Sequence, residues 1–260
     1  MEENFYNWEW FIQKFGILSK IDLTAYKRPQ MERRINSFMR TQGAGDYKLF
    51  LDVLNRDRDV YRRFVEHITI NVSEFFRNPS HWKIMEEEII PSLLKEHKSL
   101  NIWSAGCSSG EEPYSLAMLC KEKKYPLAGR ILATDLDKEV LEKATIGLYS
   151  QKALEGVPSV LIKKYFQEQG KFYRISDELK KMIEFKQQDL LRDSFSQGFD
   201  LILCRNVVIY FTEETKQKLY RKFANAMRSK GVLFIGSTEQ IFQARDLGLK
   251  SVATFFYRKE

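Results

Sequence analysis

Residues 101–115 read N-I-W-S-A-G-C-S-S-G-E-E-P-Y-S, and two incompatible chemistries fit the middle of that stretch. Gly106-Cys107-Ser108-Ser109-Gly110 matches the G-x-S-x-G elbow that presents a serine nucleophile, and it also resembles the glycine-bearing turn after the first strand of a nucleotide-binding α/β fold. In a hydrolase of the first kind the triad runs Ser, acid, His along the chain, whereas His67, His81 and His97 all precede Ser108. The general base is missing. Cys107 as a thiol nucleophile meets the same objection, because its histidine would have to come from the helical region upstream. The nucleotide reading needs a strand before the glycines, a helix after them and an acid closing the next strand. N-I-W-S-A supplies the strand, Pro113 suits the first turn of the helix, and Asp135 ends R-I-L-A-T-D. Gly106 and Gly110 would let the backbone approach a ligand closely, and Asp135 would accept from a ribose diol.

The two glutamates after Gly110 separate the possible nucleotides. A dinucleotide pyrophosphate favours free backbone amides at a helix N-terminus, and Glu111 and Glu112 would repel it there. The cationic amino-acid end of S-adenosylmethionine (SAM) is tolerated by the same charges, so the methyl donor is favoured.

Composition sets the outer limits. A chain of 260 residues that is 43% hydrophobic is long enough for one sizeable core and a smaller appended domain. The first 18 residues carry Glu2, Glu3, Glu9 and Lys14, and Arg205 splits the most apolar segment, so neither a signal peptide nor a membrane span is expected. Three cysteines without C-x-x-C spacing and three histidines make no zinc pattern, which predicts no metal and a reducing, cytoplasmic setting. The net charge of +7 suits an anionic partner, and charge alone does not say which.

Up to about residue 95 the periodicity is helical. Met31, Ile35, Phe38 and Met39 recur on one face of a helix whose other side carries Arg33, Asn36, Ser37 and Arg40. A second amphipathic helix is expected after Pro79-Ser80, burying Trp82, Ile84, Met85, Ile89 and Ile90 and ending at Pro91. From Leu100 onward short apolar strands alternate with helices: N-I-W-S-A, R-I-L-A-T-D, I-E-F-K, F-D-L-I-L-C and G-V-L-F-I-G. That alternation predicts a parallel sheet with crossover helices, and Ser251 to Arg258 reads as one further strand pairing antiparallel near its edge. More residues separate the second and third strands than a crossover helix needs. The expected organisation is therefore a helical domain over 1–92, an α/β domain over 93–260, and a small β-subdomain inserted at 147–182.

N-V-S-E-F-F-R (71–77), S-A-G-C-S-S-G-E-E-P-Y-S (104–115), A-T-D-L-D (133–137), D-L-L (189–191) and C-R-N-V-V-I-Y-F (204–211) together resemble the bacterial chemotaxis receptor methyltransferases, the CheR family. The match runs in order over nearly the whole chain. The resemblance implies a Rossmann-like SAM-dependent methyltransferase sheet with an N-terminal all-α domain. Its implied activity is methylation of glutamate side-chain carboxylates on chemoreceptor cytoplasmic domains, leaving S-adenosyl-L-homocysteine. Carried over by position, Asn71, Ser73, Arg77, Gly106, Glu112, Asp135, Asp189, Leu190, Asn206 and Val207 would line the donor pocket, with Arg77 and Tyr210 nearest the transferring methyl. Two positions depart from the family pattern: Asp189 stands where Asn is common, and Ser73 where Thr is frequent. The inserted segment resembles the family's β-subdomain, which in some members grips a peptide at the receptor C-terminus, but it lacks their glycine-rich loop.

With an acidic substrate implied, Lys27, Arg28, Arg33, Arg34 and Arg40 against the single Glu32 become a candidate docking face, with Arg33, Arg34 and Arg40 at its centre. No nucleic-acid partner, no membrane insertion and a monomer are expected. The alternatives are a SAM-dependent RNA methyltransferase, for which no clustered aromatic and basic RNA-binding motif is present, and a non-catalytic module that keeps a degenerate donor pocket.

Overall fold

The computed structural model describes residues 5–69 and 73–260, which form two compact units. The first comprises residues 1–71 with 210–216, and the second residues 72–209 with 217–260.

The first unit is helical. Helices Trp8–Ser19, Arg28–Thr41, Tyr47–Arg56 and Arg58–Thr69 each turn an apolar stripe inward. Asn7 and Asp46 cap two of them by accepting from the backbone N–H groups of Trp10 and Leu49. The stripes meet in an aromatic cluster in which Phe64 lies 4.9 Å from Phe50, 5.2 Å from Phe15 and 5.3 Å from Phe38, ring centre to ring centre. Within this unit residues 210–216 are held to the loop before the basic helix: Lys27 N–H donates to the Tyr210 carbonyl at 2.8 Å and Thr212 N–H to the Ala25 carbonyl at 2.9 Å.

The second unit is built on ten strands. Ile102–Ala105 (β1), Ile131–Asp135 (β2), Leu148–Ser150 (β3), Phe166–Gln169 (β4), Phe172–Ile175 (β5), Ile183–Gln187 (β6), Phe199–Cys204 (β7), Met227–Ile235 (β8), Leu249–Ala253 (β9) and Phe256–Lys259 (β10) divide into two sheets. The larger has the order β6-β2-β1-β7-β8-β10-β9 and the smaller β3-β5-β4. Strands β6, β2, β1, β7 and β8 run parallel, as the alternating strand and helix pattern requires. β1 and β7 are buried at every position, which is why both read as mostly apolar, broken only by Ser104 and Asp200.

Two elements differ from the sequence expectation. The helix that starts at Pro79 does not stop before Pro91. It continues to Glu96 through a π-helical turn over Met85–Ile89, and the wider turn relieves the proline ring's clash with the preceding turn. This helix contributes Trp82, Met85, Ile89, Ile90 and Leu93 to the core of the second unit. The apolar stretch 251–258 is not one strand but parts of two, β9 and β10, joined where Phe255 takes a left-handed φ of 69°. β10 pairs antiparallel with β8, and β9 forms the sheet edge. The segment after β2 forms the three-stranded antiparallel sheet, with β5 central.

Strand order reverses between β1, which leads to β2 on one side, and β7 on the other. In sheets of this kind the crevice beyond the carboxyl ends of the two strands at the reversal is where ligands bind. Gly106 follows β1 there, and Arg205 follows β7.

Phe64 is fully buried, so Phe64→Ala is expected to lower the stability of the helical unit by about 3–5 kcal/mol, read from the shift of its urea unfolding midpoint. A change below about 1 kcal/mol would mean that the aromatic cluster is not its core.

Candidate donor site

The crevice is shaped by glycines. Gly106 has φ +77°, and a Cβ there would stand 2.4 Å from Val207 Cγ2, so the two loops at the strand-order reversal touch only because this position has no side chain. Gly110 has φ +95°, precedes helix Glu111–Glu122, and faces Ala144, Tyr114 and Tyr149 at distances that leave no space for a methyl group. Between them Ser108 takes φ 48° and donates its N–H to Asp135 Oδ2 at 2.8 Å. Asp135 Oδ1 accepts from Asp137 N–H at 3.0 Å. Burial pushes the Asp135 carboxyl up, against those backbone donors.

Glu112 is 9% exposed. Its Oε1 accepts from Ser104 Oγ at 2.8 Å, and its Oε2 pairs with Arg205 Nη1 at 3.3 Å. Burial raises its pKa, and Arg205, Ser104 and Arg77 hold it back. Arg205 Nη2 also donates to the Arg77 carbonyl at 2.8 Å and to Asn78 Oδ1 at 2.9 Å, and its guanidinium lies 4.6 Å from the centre of the Phe234 ring. One buried guanidinium thus ties the 73–78 segment and the 111–122 helix to the end of β7. A second tie runs through the helix itself. Phe76 N–H donates to Ser115 Oγ at 3.0 Å, Ser115 Oγ donates to the Glu111 carbonyl at 2.7 Å, and the Glu111 carboxylate accepts from Ser109 Oγ and is bonded to Ser73.

These contacts converge on a pocket lined by Ser73, Glu74, Arg77, Gly106, Ser108, Glu112, Arg205 and Asn206. Two buried polar atoms in it, Ser108 Oγ and Asn206 Oδ1, have no hydrogen-bond partner within the protein. Ser108 is 7% exposed, so its hydroxyl is withheld from bulk water as well. A pocket with an acidic wall, a glycine cradle and unmatched acceptor and donor atoms fits a ligand that is cationic at one end and carries hydroxyl or amine donors.

Among the residues named from sequence, Ser73, Arg77, Gly106, Glu112 and Asn206 line this pocket, Asp135 anchors Ser108 beside it, and Val207 packs on Gly106. Asn71 lies outside the described residues. Asp189 follows β6, and its Oδ1 accepts from Leu191 N–H at 2.8 Å and Arg192 N–H at 3.3 Å. Leu190 is buried beside it, with its carbonyl held by Lys222 Nζ. The Asp189 carboxylate closes its own turn, a role that the amide oxygen of Asn fills equally, and this accounts for the departure at that position. Tyr210 belongs to the first unit. So does the basic helix, where Arg33 and Arg40 are exposed while Arg34 is half-buried and donates through Nη2 to the His67 carbonyl. Arg34 is a packing arginine as much as a surface charge, and burial lowers its pKa.

Sequence reasoning missed Arg205 and Glu74 as lining residues of the site. Arg205 did leave a signal: a charged residue at the end of a fully buried strand needs a partner, and Glu112 was available. The second unit also holds two histidines. His97 Nε2 lies 3.4 Å from Asp200 Oδ1 at the start of β7, away from the crevice, and His81 packs on Phe234 and Phe255 with its pKa lowered by burial and by Arg205.

Comparison with known proteins agrees with this geometry. Residues 71–255 match the model for the CheR methyltransferase SAM binding domain, and residues 7–69 match that for the CheR methyltransferase all-alpha domain. The chain belongs to the CheR methyltransferase family. A chemotaxis protein methyltransferase of Listeria innocua is 45% identical over 240 residues, covering 92% of each chain. That of Borreliella burgdorferi is 33% identical over 90% of this chain and 88% of its own, and that of Salmonella typhimurium 30% identical over 95% and 87%. The protein is accordingly a SAM-dependent methyltransferase. No helix among the described residues is long and apolar enough to cross a membrane.

All three cysteines are buried and free, and burial pushes Cys107 and Cys204 well up and Cys120 up to about 12. A thiol reagent at neutral pH is therefore expected to leave the native protein unmodified over minutes and to titrate three thiols after denaturation. Rapid native labelling of Cys107 would return it to consideration as a nucleophile.

Proposed function

We propose that the protein is a protein-glutamate O-methyltransferase that esterifies glutamate side chains on the cytoplasmic domains of chemoreceptors, acting in the cytoplasm as a monomer. The observation that carries this reading is the pocket at the ends of β1 and β7, where Glu112, Ser108 and Asn206 present an acidic and partly unsatisfied lining.

The residues present fit the donor. Glu112 would hold the cationic amino group, Asp135 the ribose hydroxyls, and Ser73, Arg77, Asn206 and Val207 the rest of the molecule, with Asp189 and Leu190 at the far edge. When bound, the donor supplies an electrophilic methyl on a sulfonium. The acceptor carboxylate, with an ordinary pKa of about 4.3, is ionised at neutral pH and needs no base to remove a proton. Neither histidine of the second unit is therefore required for chemistry. What remains for the protein is to orient and desolvate that carboxylate. Arg77 suits this role, because its backbone is fixed through its carbonyl by Arg205 and by Trp82 Nε1 at 3.0 Å, which leaves the guanidinium as the mobile cation at the pocket. Tyr210 would lie near the methyl. Arg33 and Arg40, exposed on their helix, would draw in an acidic receptor helix, and Arg34 would add its charge at half-burial.

Incubation with methyl-labelled SAM and a chemoreceptor cytoplasmic fragment is expected to place base-labile label on the receptor, and incubation with RNA to give none. Label on RNA alone would overturn the reading in favour of the RNA enzyme, and failure to bind SAM in a calorimeter would overturn it altogether. Arg77→Ala is expected to fold and to lose at least about a hundredfold in turnover, as loss of a positioning contact does. Unchanged turnover would remove Arg77 from the site.

A further inference from the structure

The loop that carries Asn206 and Val207 has no regular secondary structure until Val208–Tyr210, and Asn206 sits at a left-handed φ of 59°. Left-handed backbone on a residue other than glycine is held by its surroundings. Here the surroundings are a second loop, after β8. Gly236 N–H donates to Glu239 Oε2 at 2.5 Å, and Glu239 N–H closes the turn onto the Gly236 carbonyl at 3.0 Å. The other oxygen, Oε1, accepts from Val208 N–H at 3.2 Å, and the backbone N–H groups of Asn206 and Ile209 lie close enough to the same carboxylate to favour its charged form. Glu239 is 4% exposed, and the backbone donors around it, with the nearby charge of Arg205, offset a burial that pushes its pKa up. The fit leaves no slack: a Cβ on Gly236 would stand 2.7 Å from Asn206 N and 2.8 Å from Glu239 Oε2.

We propose that Glu239 is a positioning residue for the donor. Its carboxylate bridges the amides of 208 and 236, with those of 206 and 209 close by, and so fixes the backbone from which Asn206 faces the pocket and Val207 meets Gly106. It does not line the donor pocket, and each of its oxygens accepts from a backbone amide. The inference rests on the reading of Asn206 as a donor contact, and it adds a residue that the donor-contact pattern does not contain. A glutamine of the same shape has one acceptor oxygen and turns the other position into a donor facing N–H groups. Glu239→Gln therefore disrupts the bridge while leaving the volume unchanged.

The test is S-adenosylhomocysteine binding by calorimetry to the full chain, to Asn206→Ala, to Glu239→Gln and to the double variant, alongside thermal unfolding without ligand. Asn206→Ala and Glu239→Gln are each expected to weaken binding about tenfold or more, and the double variant no further than the weaker single, because the second residue acts through the first. A residue that only stabilised the fold would lower the unfolding temperature and leave the dissociation constant of the folded fraction unchanged. If Asn206→Ala binds normally, the donor reading of Asn206 falls and the positioning role with it. If Asn206→Ala is weakened and Glu239→Gln is not, or if the two losses add, the positioning role alone is overturned. Should Glu239→Gln fail to fold, Gly236→Ala displaces the same amide of Asn206 from the other side. It is expected to give the same loss, and normal binding by a folded Gly236→Ala would equally overturn the role.

Discussion

A buried ion pair, Glu112 with Arg205, holds the catalytic end of this molecule together. Arg205 is 7% exposed and stays protonated, because a guanidinium does not lose its proton in a protein. Its surroundings must therefore supply acceptors, and they come from two segments distant from it in sequence: the Glu112 carboxylate from one, the Arg77 carbonyl and the Asn78 amide oxygen from the other. Replacing one partner would leave an uncompensated buried charge, at a cost of about 3–5 kcal/mol, so the three segments are fixed relative to one another by electrostatics rather than by close packing alone. The donor pocket is the space they leave.

The same pair places a constraint on the ligand. Glu112 is held ionised by Arg205, yet burial opposes that charge, and Glu111, Asp135 and Glu239 stand under the same opposition. A carboxyl whose folded pKa lies above its unfolded one costs stability while it is ionised, and the cost is relieved as pH falls through the raised value. At neutral pH the four together therefore oppose folding, offset by the amides and hydroxyls aimed at them. A ligand carrying a cation into the pocket supplies what the protein lacks, whereas a pyrophosphate would add to the repulsion.

The parallel strands and the first glycine turn were legible in the sequence because they are local. β1 and β7 are apolar but for Ser104 and Asp200, and Gly106 and Gly110 stand where backbone must turn left-handed beside other chain. What was not legible depended on contacts distant in sequence. The helix from Pro79 runs past Pro91 because a π turn absorbs the proline, and no periodicity marks such a turn. The break at Phe255 that divides the final strand is a left-handed residue with none of the glycine, asparagine or aspartate that announces one. Arg205 was visible only as an interruption of an apolar run, since its partner lies 93 residues earlier. The family motifs include Ser115, Asp135 and Arg205, but the resemblance gave a role only to Asp135, as a donor contact, and Glu239 lies outside them.

The need for residues that hold the pocket walls has a physical basis. Several residues that line the pocket, Gly106, Ser108 and Asn206, have left-handed backbone, which brings amides and short side chains close to the space they enclose. Backbone of that kind is not self-supporting, as helices and sheets are, so each such loop needs an acceptor or donor from elsewhere. Asp135 supplies it for Ser108, Ser115 for Phe76, Arg205 for Arg77 and Asn78, and Glu239 for the loop after β7. In all four the supporting group is a side chain and the supported segment lies at least 27 residues away in sequence. The helical unit shows the contrast, since the caps of Asn7 and Asp46 are each three residues from the amide they serve and its core is aromatic packing. A methyl donor that must be gripped, released and exchanged at every turnover suits a pocket whose walls are individually strained and collectively pinned, because binding then draws on geometry that is already in place rather than on ordering the loops anew.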